Sequence, residues 1–350
     1  MKKIIQVTYI LISVFLIGVF VFSCKNPAGA VEEIPKPGSR DYKWTADTVR
    51  LPFFTLIRIW GSSFDNVWAA GFGGDVKTYI WHFDGKAWTT DSIPRPIDPT
   101  GLFGFNKSNV WLGNSTFYAH KTSFWFYNGN SWFDFGDYAV PQNYDRFWIN
   151  DLYGTSPNDV YAVGTADSYS SDSVKGIIMH FNGKTWSFID AGTNRLNLVN
   201  IRKSDINNLY FIKAFNVRGD TSKILSFDGK NLREAYSNTQ NSVLQNIHNE
   251  AYVVIGQKIY KYSNGGLYVW KDFSGTTYGG MVKGWSEADF FYAAIDGIGH
   301  YNGSDLKTLY KTDLIIMDGI AVPGNIFFIT HNFSNGDNVF IRGELQQTNK

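Results

Sequence analysis

The sequence predicts an all-β fold, a seven-bladed β-propeller in which the N-terminal strand closes the last blade. Three observations predict it. One unit is repeated seven times along the chain, most clearly from Ser62 to Trp88 and from Ser156 to Trp186. Each unit holds four short segments rich in Val, Ile, Phe, Tyr and Trp, the residues that half-buried strands prefer. A separate copy of the last segment, Asp41 to Thr45, precedes the first unit.

Two motifs anchor each unit. In the first, an apolar residue is followed by an aromatic one; the copies are Val67-Trp68, Val110-Trp111, Val160-Tyr161, Leu209-Tyr210, Ala251-Tyr252, Phe290-Phe291 and Ile326-Phe327. In the second, an aromatic residue is followed by Asp or Asn and then Gly; the good copies are Phe83-Asp84-Gly85, Tyr127-Asn128-Gly129, Phe181-Asn182-Gly183, Phe227-Asp228-Gly229 and Tyr301-Asn302-Gly303. The second motif is degenerate in copies five and seven. A repeat of about 40–50 residues with these motifs is typical of a propeller blade.

The strands of the first unit illustrate the predicted blade. We expect them at Leu56–Gly61, Val67–Gly71, Tyr79–Phe83 and Ala87–Ser92. Because Asp-Gly and Asn-Gly tolerate positive φ, the second motif predicts a two-residue type I′ turn between the third and fourth strands. We expect the repeated Trp88, Trp132 and Trp186 to pack between blades, where each ring buries a large apolar area.

Closure of the ring is also predicted. Copy seven stops near Leu345 without a fourth strand, whereas Asp41 to Thr45 resembles Gly85 to Thr89 of the first unit. We therefore expect Tyr42–Val49 to form the outer strand of the seventh blade and to join the two ends of the chain.

The composition indicates one packed domain. Charged residues make up 18% of the chain and aromatic residues 17%, which favours a sheet protein over a disordered one. The formal net charge is +1, and −1 without Lys2 and Lys3, so the chain offers no basic field for nucleic acid. We divide the chain into a signal peptide (1–23), a flexible tether (24–40), the propeller (41–345) and a tail (346–350).

The N-terminal segment has the charged and apolar regions of a signal peptide. Its end, Val21 to Cys24, resembles a bacterial lipobox, which implies cleavage before Cys24 and lipid on the Cys24 sulfur. Lys25 follows the cysteine instead of Asp, which resembles lipoproteins destined for the outer membrane. An uncleaved membrane anchor is the alternative, because Ile4–Phe22 nearly reaches spanning length. With Cys24, the one cysteine, used by the lipid, no thiol remains, so disulfides, thiolate catalysis and zinc-thiolate sites are excluded.

The repeat resembles those of secreted bacterial propellers described as BNR-like or kelch-like. The resemblance is clearest in Gly154 to Gly164 (GTSPNDVYAVG) and His180 to Trp186 (HFNGKTW), and it extends over nearly the whole mature chain. It implies the fold but no single function, because such propellers have many roles. The sialidase Asp-box has Gly two residues after Asp, whereas here Gly follows directly. The kelch pattern, a Gly-Gly doublet followed by Tyr and then Trp, is clean only in copy one, at Gly73-Gly74, Tyr79 and Trp88.

The histidines do not indicate a metal site. His82, His180 and His300 occupy the same position of three different blades, so they cannot converge on one ion. No His-x-x-x-His or His-Glu-x-x-His spacing is present, and we expect no cofactor and no metal. Asp167 to Ser173 carries oxygen ligands that suit Ca²⁺, but it lacks the spacing of an EF-hand loop.

The binding residues are expected where the copies differ. The loops between second and third strands are long in copies two to four (113–123, 164–176 and 214–222), as are the crossings 91–100 and 137–147. They share one face of the ring and carry residue types that dominate interface energetics. The candidate binding residues are Phe117, Tyr118, His120, Tyr138, Tyr144, Arg146, Trp148, Tyr169 and Arg218. Tolerated insertions without a ligand are the alternative.

The axis of the ring carries charged residues. The first strands place Arg58, Asp151, Asn200, Arg202 and Lys283 at inner positions, where they form either a charge network in a wet channel or a catalytic constellation.

Two functions follow from these features. The first is a monomeric, lipid-anchored, non-catalytic binding or scaffold module of the bacterial envelope that engages an envelope protein or a glycan. Its lipid would be its only link to the membrane, and it would not bind nucleic acid. The alternative is a polysaccharide-active enzyme, a hydrolase or lyase, that uses carboxylates near the channel mouth.

Overall fold

A computed structural model of the protein describes residues 38–51, 53–93, 97–114, 121–169 and 173–346, with the backbone alone at 121–123. These residues form seven antiparallel sheets of four strands each. Their helical structure is limited to a 3-10 turn at Val76–Thr78, and no helix among them is long and apolar enough to span a bilayer.

The strands follow one another blade by blade. Strand β1 is Tyr42–Val49, and blade one holds β2 (Thr55–Ser63), β3 (Asn66–Phe72), β4 (Ile80–Phe83) and β5 (Trp88–Thr89). Blade two holds β6 (Pro99–Asn106), β7 (Asn109–Asn114), β8 (Lys121–Tyr127) and β9 (Trp132–Ala139). Blade three holds β10 (Arg146–Ser156), β11 (Asp159–Asp167), β12 (Val174–Phe181) and β13 (Trp186–Phe188).

The remaining blades repeat this order. Blade four holds β14 (Leu196–Ser204), β15 (Leu209–Asn216), β16 (Ser222–Phe227) and β17 (Leu232–Asn238). Blade five holds β18 (Ser242–Ile247), β19 (Glu250–Ile255), β20 (Lys258–Ser263) and β21 (Gly266–Asp272). Blade six holds β22 (Tyr278–Ser286), β23 (Asp289–Ala294), β24 (Gly297–Tyr301) and β25 (Leu306–Lys311). Blade seven holds β26 (Ile315–Val322), β27 (Asn325–His331), β28 (Asn338–Leu345) and β1.

The ring closes as predicted. Each first strand contacts the first strands of both neighbouring blades, and β26 contacts β2. Strand β1 pairs antiparallel with β28, from Tyr42 opposite Leu345 to Val49 opposite Asn338. The predicted fold class is therefore confirmed, including the N-terminal strand as the outer strand of the last blade. This strand also packs on blade six, because the Tyr42 ring makes an edge contact with Phe291 at 5.2 Å.

The turn between the third and fourth strands differs from the predicted two-residue type I′ turn. In blade one, Phe83 pairs with Trp88, so four residues form the turn, and of these Gly85 has positive φ, at 92°. The Asp84 carboxylate accepts hydrogen bonds from the main-chain N–H groups of Lys86 (2.9 Å) and Ala87 (3.0 Å). The aspartate therefore caps a wider turn with its side chain, and glycine is required at one position only.

The repeated tryptophans pack between blades, as their spacing indicated. The Trp186 ring stacks on Phe124 of blade two with a centroid distance of 4.0 Å. The Trp88 ring stacks on Phe340 of blade seven at 3.7 Å. These stacks bury a large apolar area between neighbouring sheets and so attach each blade to the next.

The three equivalent histidines are bound within their own blades. His180 Nε2 lies 2.8 Å from the Asp159 carboxylate, and His300 Nε2 lies 2.7 Å from that of Asp289. His82 makes the same contact to Asn66, at 3.3 Å. Each imidazole therefore connects the third strand to the start of the second, which is a structural role.

Removal of the closing strand should unfold the protein. Deletion of residues 41–50 leaves β28 with an unpaired edge and uncovers Phe291, so we expect loss of the cooperative thermal transition. Circular dichroism melting of the variant and the parent measures this. As a control, alanine at the exposed positions Lys43, Asp47 and Thr48 keeps the strand and should melt within a few degrees of the parent. A deletion variant that melts like the parent would contradict the closure.

Candidate functional site

The axis of the ring holds a cavity of about 290 Å³. All seven blades line it, mainly through the C-terminal halves of their first strands. Because these halves lead into the turns between first and second strands, the cavity lies on that side of the ring. This is the side opposite to the one on which the sequence predicted a ligand.

Local backbone irregularities place the polar residues of this cavity. Six of the seven first strands described show a register shift against the second strand, as between Leu56 and Arg58, Ile149 and Asp151, and Ile316 and Asp318. A bulge of this kind redirects a side chain without breaking the sheet. The aliphatic residues that follow the bulges, such as Leu152 and Ile201, are fully buried. Alternation along the strand then directs their polar neighbours towards the axis.

Asp151 is the first of two carboxylates in the cavity. Its Oδ2 atom accepts hydrogen bonds from Arg202 Nη1 (2.5 Å), from the main-chain N–H of Ile201 (3.0 Å) and from Asn200 Nδ2. All three donors belong to blade four, whereas Asp151 belongs to blade three. This carboxylate therefore fastens two neighbouring blades together at the axis.

Asp318 is the second carboxylate, and it fastens blade seven to both of its neighbours. Its Oδ1 atom lies 3.1 Å from Lys283 Nζ of blade six, and its Oδ2 atom accepts the N–H of Ile59 of blade one at 3.3 Å. Burial lowers the pKa of the Lys283 ammonium, and the charge of Asp318 opposes that shift. Both carboxylates thus serve as partners of a cation and of a main-chain amide.

Aromatic side chains form the wall of the cavity. Trp60, Phe103, Tyr153 and Trp285 line it from four different blades. The Phe103 and Tyr153 rings touch across the boundary of blades two and three, with centroids 5.0 Å apart. The cavity therefore combines a charged inner layer with an aromatic wall.

Three of the predicted binding residues come together on the opposite side of the ring. Arg146 begins β10, Trp148 lies two residues further on the same strand, and Tyr169 follows the end of β11. The Arg146 guanidinium carbon lies 5.5 Å from the Trp148 ring centroid and 4.8 Å from that of Tyr169. We call these three residues the platform. The main-chain N–H of Tyr169 donates to the Asp145 carboxylate at 2.6 Å, which fixes the start of this loop.

Asp167 orients the platform. Its two oxygens accept hydrogen bonds from Arg146 Nε (2.6 Å) and Nη2 (2.8 Å), a two-point pairing that fixes the plane of the guanidinium. The hydrogen bond to Asp167 also raises the pKa of Arg146. Because Asp167 is engaged in this pair, it is not a free ligand for the Ca²⁺ ion considered from the sequence. The described residues contain no group of three or more His, Cys, Asp or Glu that could hold a metal.

The other predicted binding residues lie elsewhere. Tyr138 is on β9 and packs in the core between blades two and three, where its hydroxyl accepts the N–H of Trp186 at 3.4 Å. Tyr144 packs against the same core. Arg218 lies in the turn between β15 and β16. Hydrogen bonds from Asn216 and Thr221 lower the pKa of the nearby Asp220, and the charge of Arg218 adds a smaller effect in the same direction. Phe117, Tyr118, His120 and Cys24 lie outside the described residues.

The predicted loops are shorter than expected, because the strands extend into them. Tyr138, Arg146 and Trp148 were assigned to a crossing loop, whereas they lie on β9 and β10. Strand β9 continues to Ala139 and β10 begins at Arg146, so fewer residues are left for the crossing than the predicted 137–147.

Several residues of the axial cavity were missed. They are Trp60, Phe103, Tyr153, Trp285 and Asp318. Asp318 belongs to the degenerate seventh copy, yet it precedes Gly319 at the same point of the bulge at which Arg58 precedes Ile59. Alignment of the first strands on this bulge would have found it.

Comparison with known proteins shows the fold alone. The sequence matches no family model and no curated protein. The extracellular domain of BT4673 from B. thetaiotaomicron is similar with a TM-score of 0.53 at 9% identity, over 85% of this chain and 40% of that one. An acylaminoacyl peptidase in complex with Z-Gly-Gly-Phe-chloromethyl ketone has a TM-score of 0.53 at 8% identity, over 85% and 53%. A protein from Lactobacillus plantarum has a TM-score of 0.48 at 10% identity, over 83% and 97%.

Lys213 is a buried amine between blades four and five. Its side chain donates to Asn241 Oδ1 at 2.9 Å and lies 4.7 Å from the centroid of the Phe215 ring. The residue is 9% exposed, and burial lowers the pKa of its ammonium to about 8. An unfolded lysine has a pKa of about 10.4, so the folded protein binds this proton less tightly than the unfolded chain.

Replacement of Lys213 should change how stability depends on pH. The contribution of Lys213 to the free energy of unfolding rises as the pH rises from about 8 to about 10.4, because the unfolded chain binds the proton more tightly. We expect Lys213→Met to remove about 2–3 kcal/mol of this pH-dependent rise in the free energy of unfolding. Urea unfolding at pH 7, 8.5 and 10 measures it: the free energy of unfolding of the parent minus that of the variant should increase with pH. The exposed Lys184→Met is the control. A difference that stays constant with pH would contradict the burial effect.

Proposed function

We propose that this protein is a non-catalytic binding module of a bacterial envelope, anchored by lipid at Cys24, that engages a protein or a glycan through the platform. The observation that supports it is the guanidinium of Arg146, which Asp167 orients and which lies 5.5 Å from the Trp148 ring centroid and 4.8 Å from that of Tyr169. Tyr169 is 64% exposed, so one ring presents its area to solvent.

The platform has the properties of a binding hot spot. Aromatic rings and arginine contribute the largest energies at interfaces. Tyr and Trp do so because they bury much area at a low cost in side-chain entropy. A guanidinium that is already oriented loses little further freedom when it binds. The same rings can stack on the apolar face of a sugar, so a glycan suits the platform as a protein does.

The alternative, a polysaccharide-active enzyme, needs two carboxylates available at the channel mouth. The two carboxylates that line the axial cavity, Asp151 and Asp318, each bind a cation and a main-chain amide. They fasten blades together, which favours a binding role over acid–base catalysis.

Alanine substitutions in the platform should weaken ligand binding. The ligand is first found by in-cell cross-linking with mass spectrometry on the intact lipoprotein or, if no protein is captured, with a panel of polysaccharides scored for binding and chain cleavage. Arg146→Ala, Trp148→Ala and Tyr169→Ala should each raise Kd by about tenfold or more. The controls are Arg233→Ala and Tyr268→Ala, on exposed fourth-strand positions. Unchanged binding in all three variants would refute the platform, and chain cleavage would establish the enzyme.

The lipid anchor has a separate test. Growth with radiolabelled palmitate should label the parent and leave Cys24→Ala unlabelled, because the cysteine sulfur is the expected attachment point. An equal label in parent and variant would contradict lipidation at Cys24, and an unlabelled parent that stays in the membrane fraction would favour an uncleaved anchor.

A further inference from the structure

The axial cavity contains one more cation than its carboxylates can pair. Arg202 pairs with Asp151, and Lys283 pairs with Asp318. Arg58 also lines the cavity and forms an ion pair with neither carboxylate. One guanidinium therefore stands in a partly buried site without a counter-charge among the described residues.

The hydrogen bonds of Arg58 are also incomplete. A guanidinium has five N–H donors, of which two are accounted for: Nη1 donates to the carbonyl of Ile57 and Nη2 to that of Asn150, both at 3.1 Å. The Nε atom is buried and has no acceptor within the described part of the chain. These two carbonyls orient the guanidinium but supply no negative charge. A partly buried cation in this state is stabilised by an anion that pairs with it.

The lining has further polar atoms without partners. The indole N–H of Trp285 and the Oδ1 atom of Asn246 are both buried, and neither has a hydrogen-bond partner in the described residues. Both residues line the same cavity as Arg58. Native proteins rarely bury such atoms unpaired, and clusters of them occur where water or a ligand binds. A ligand here therefore meets a cation, a neutral donor and an acceptor.

The size and wall of the cavity limit the ligand. A volume of about 290 Å³ is near the lower end of ligand sites, so it suits a compact molecule or the terminal group of a longer one. Trp60, Tyr153 and Trp285 offer aromatic rings in the lining. Such surfaces suit the flat face of a six-membered ring.

We propose that the axial cavity binds a compact carboxylate carried on a six-membered ring, with the carboxylate paired to Arg58 and the ring against the aromatic wall. An acidic sugar and an aromatic acid share this chemistry. The site lies on the other side of the ring from the platform, so it does not rest on the function proposed there.

Titration calorimetry of the full-length protein in detergent tests the proposal. The probes are glucuronate with glucose as its neutral counterpart, and benzoate with benzyl alcohol. At least one carboxylate should bind at least tenfold more tightly than its counterpart. Preference for glucuronate alone identifies an acidic sugar, and preference for benzoate alone identifies an aromatic acid. If neither carboxylate binds better than its counterpart, or if neither shows saturable binding, the proposal is wrong.

Substitution of Arg58 locates the site. Arg58→Gln removes the charge and leaves a shorter, neutral amide side chain, and it should abolish the preference for the carboxylate. The exposed Arg233→Gln is the matched control and should bind as the parent does. If Arg58→Gln melts early, Arg58→Lys replaces it, because it keeps the charge and loses the planar fork. Arg58→Lys should weaken binding at least threefold. Parental affinity in a folded Arg58 variant would overturn the assignment.

Discussion

The antiparallel pairing of β1 with β28 is the interaction on which the rest of the structure depends. Six blades are continuous in sequence, whereas the seventh is made from both ends of the described chain. If β1 were absent, the ring would be closed by the contact between the first strands β26 and β2, without the pairing of outer strands. The pairing extends over eight residues, and it places Tyr42 and Trp44 against blade six. Closure is therefore a long-range event that joins residues far apart in sequence.

Ion pairs and charged hydrogen bonds link neighbouring blades at the axis of the same ring. Each axial carboxylate binds a main-chain amide and a cation on a neighbouring blade, so Asp151 and Asp318 act between sheets rather than inside them. Buried ion pairs of this kind rarely add much net stability, because desolvation offsets their attraction, but they favour one arrangement over others. The outer stacks, such as Trp186 on Phe124, supply the apolar area. The carboxylate contacts at the axis and the aromatic stacks at the periphery together hold the blades that carry the platform and the cavity.

Sequence reasoning found the fold because the repeat is redundant. Seven copies of one pattern identify the blades even though copies five and seven are degenerate, and the orphan segment at Asp41 to Thr45 identifies the closure. The BNR-like or kelch-like repeat type stays a prediction from these motifs. The prediction of a two-residue turn was wrong, because the Asp84 side chain, and not the backbone alone, determines the turn.

The candidate sites were found in part. Arg146, Trp148 and Tyr169 were selected by residue type, although two of them lie on a strand. Their arrangement depends on a partner, Asp167, that residue type does not reveal. The polar residues of the axis were found because they break the aliphatic pattern of the first strands. Their pairing, and the unpaired state of Arg58, depends on distances between blades that no single repeat contains.

The direction of β1 gives the two faces of the ring unequal surroundings. As a fourth strand it starts on the side of the turns between third and fourth strands, and there the N–H of Gly38 donates to the carbonyl of Asn302. The chain therefore enters the ring on the side towards which the axial cavity lies, at its outer rim. A molecule that entered the cavity would therefore approach on the side where β1 starts, whereas the platform lies on the opposite side of the ring.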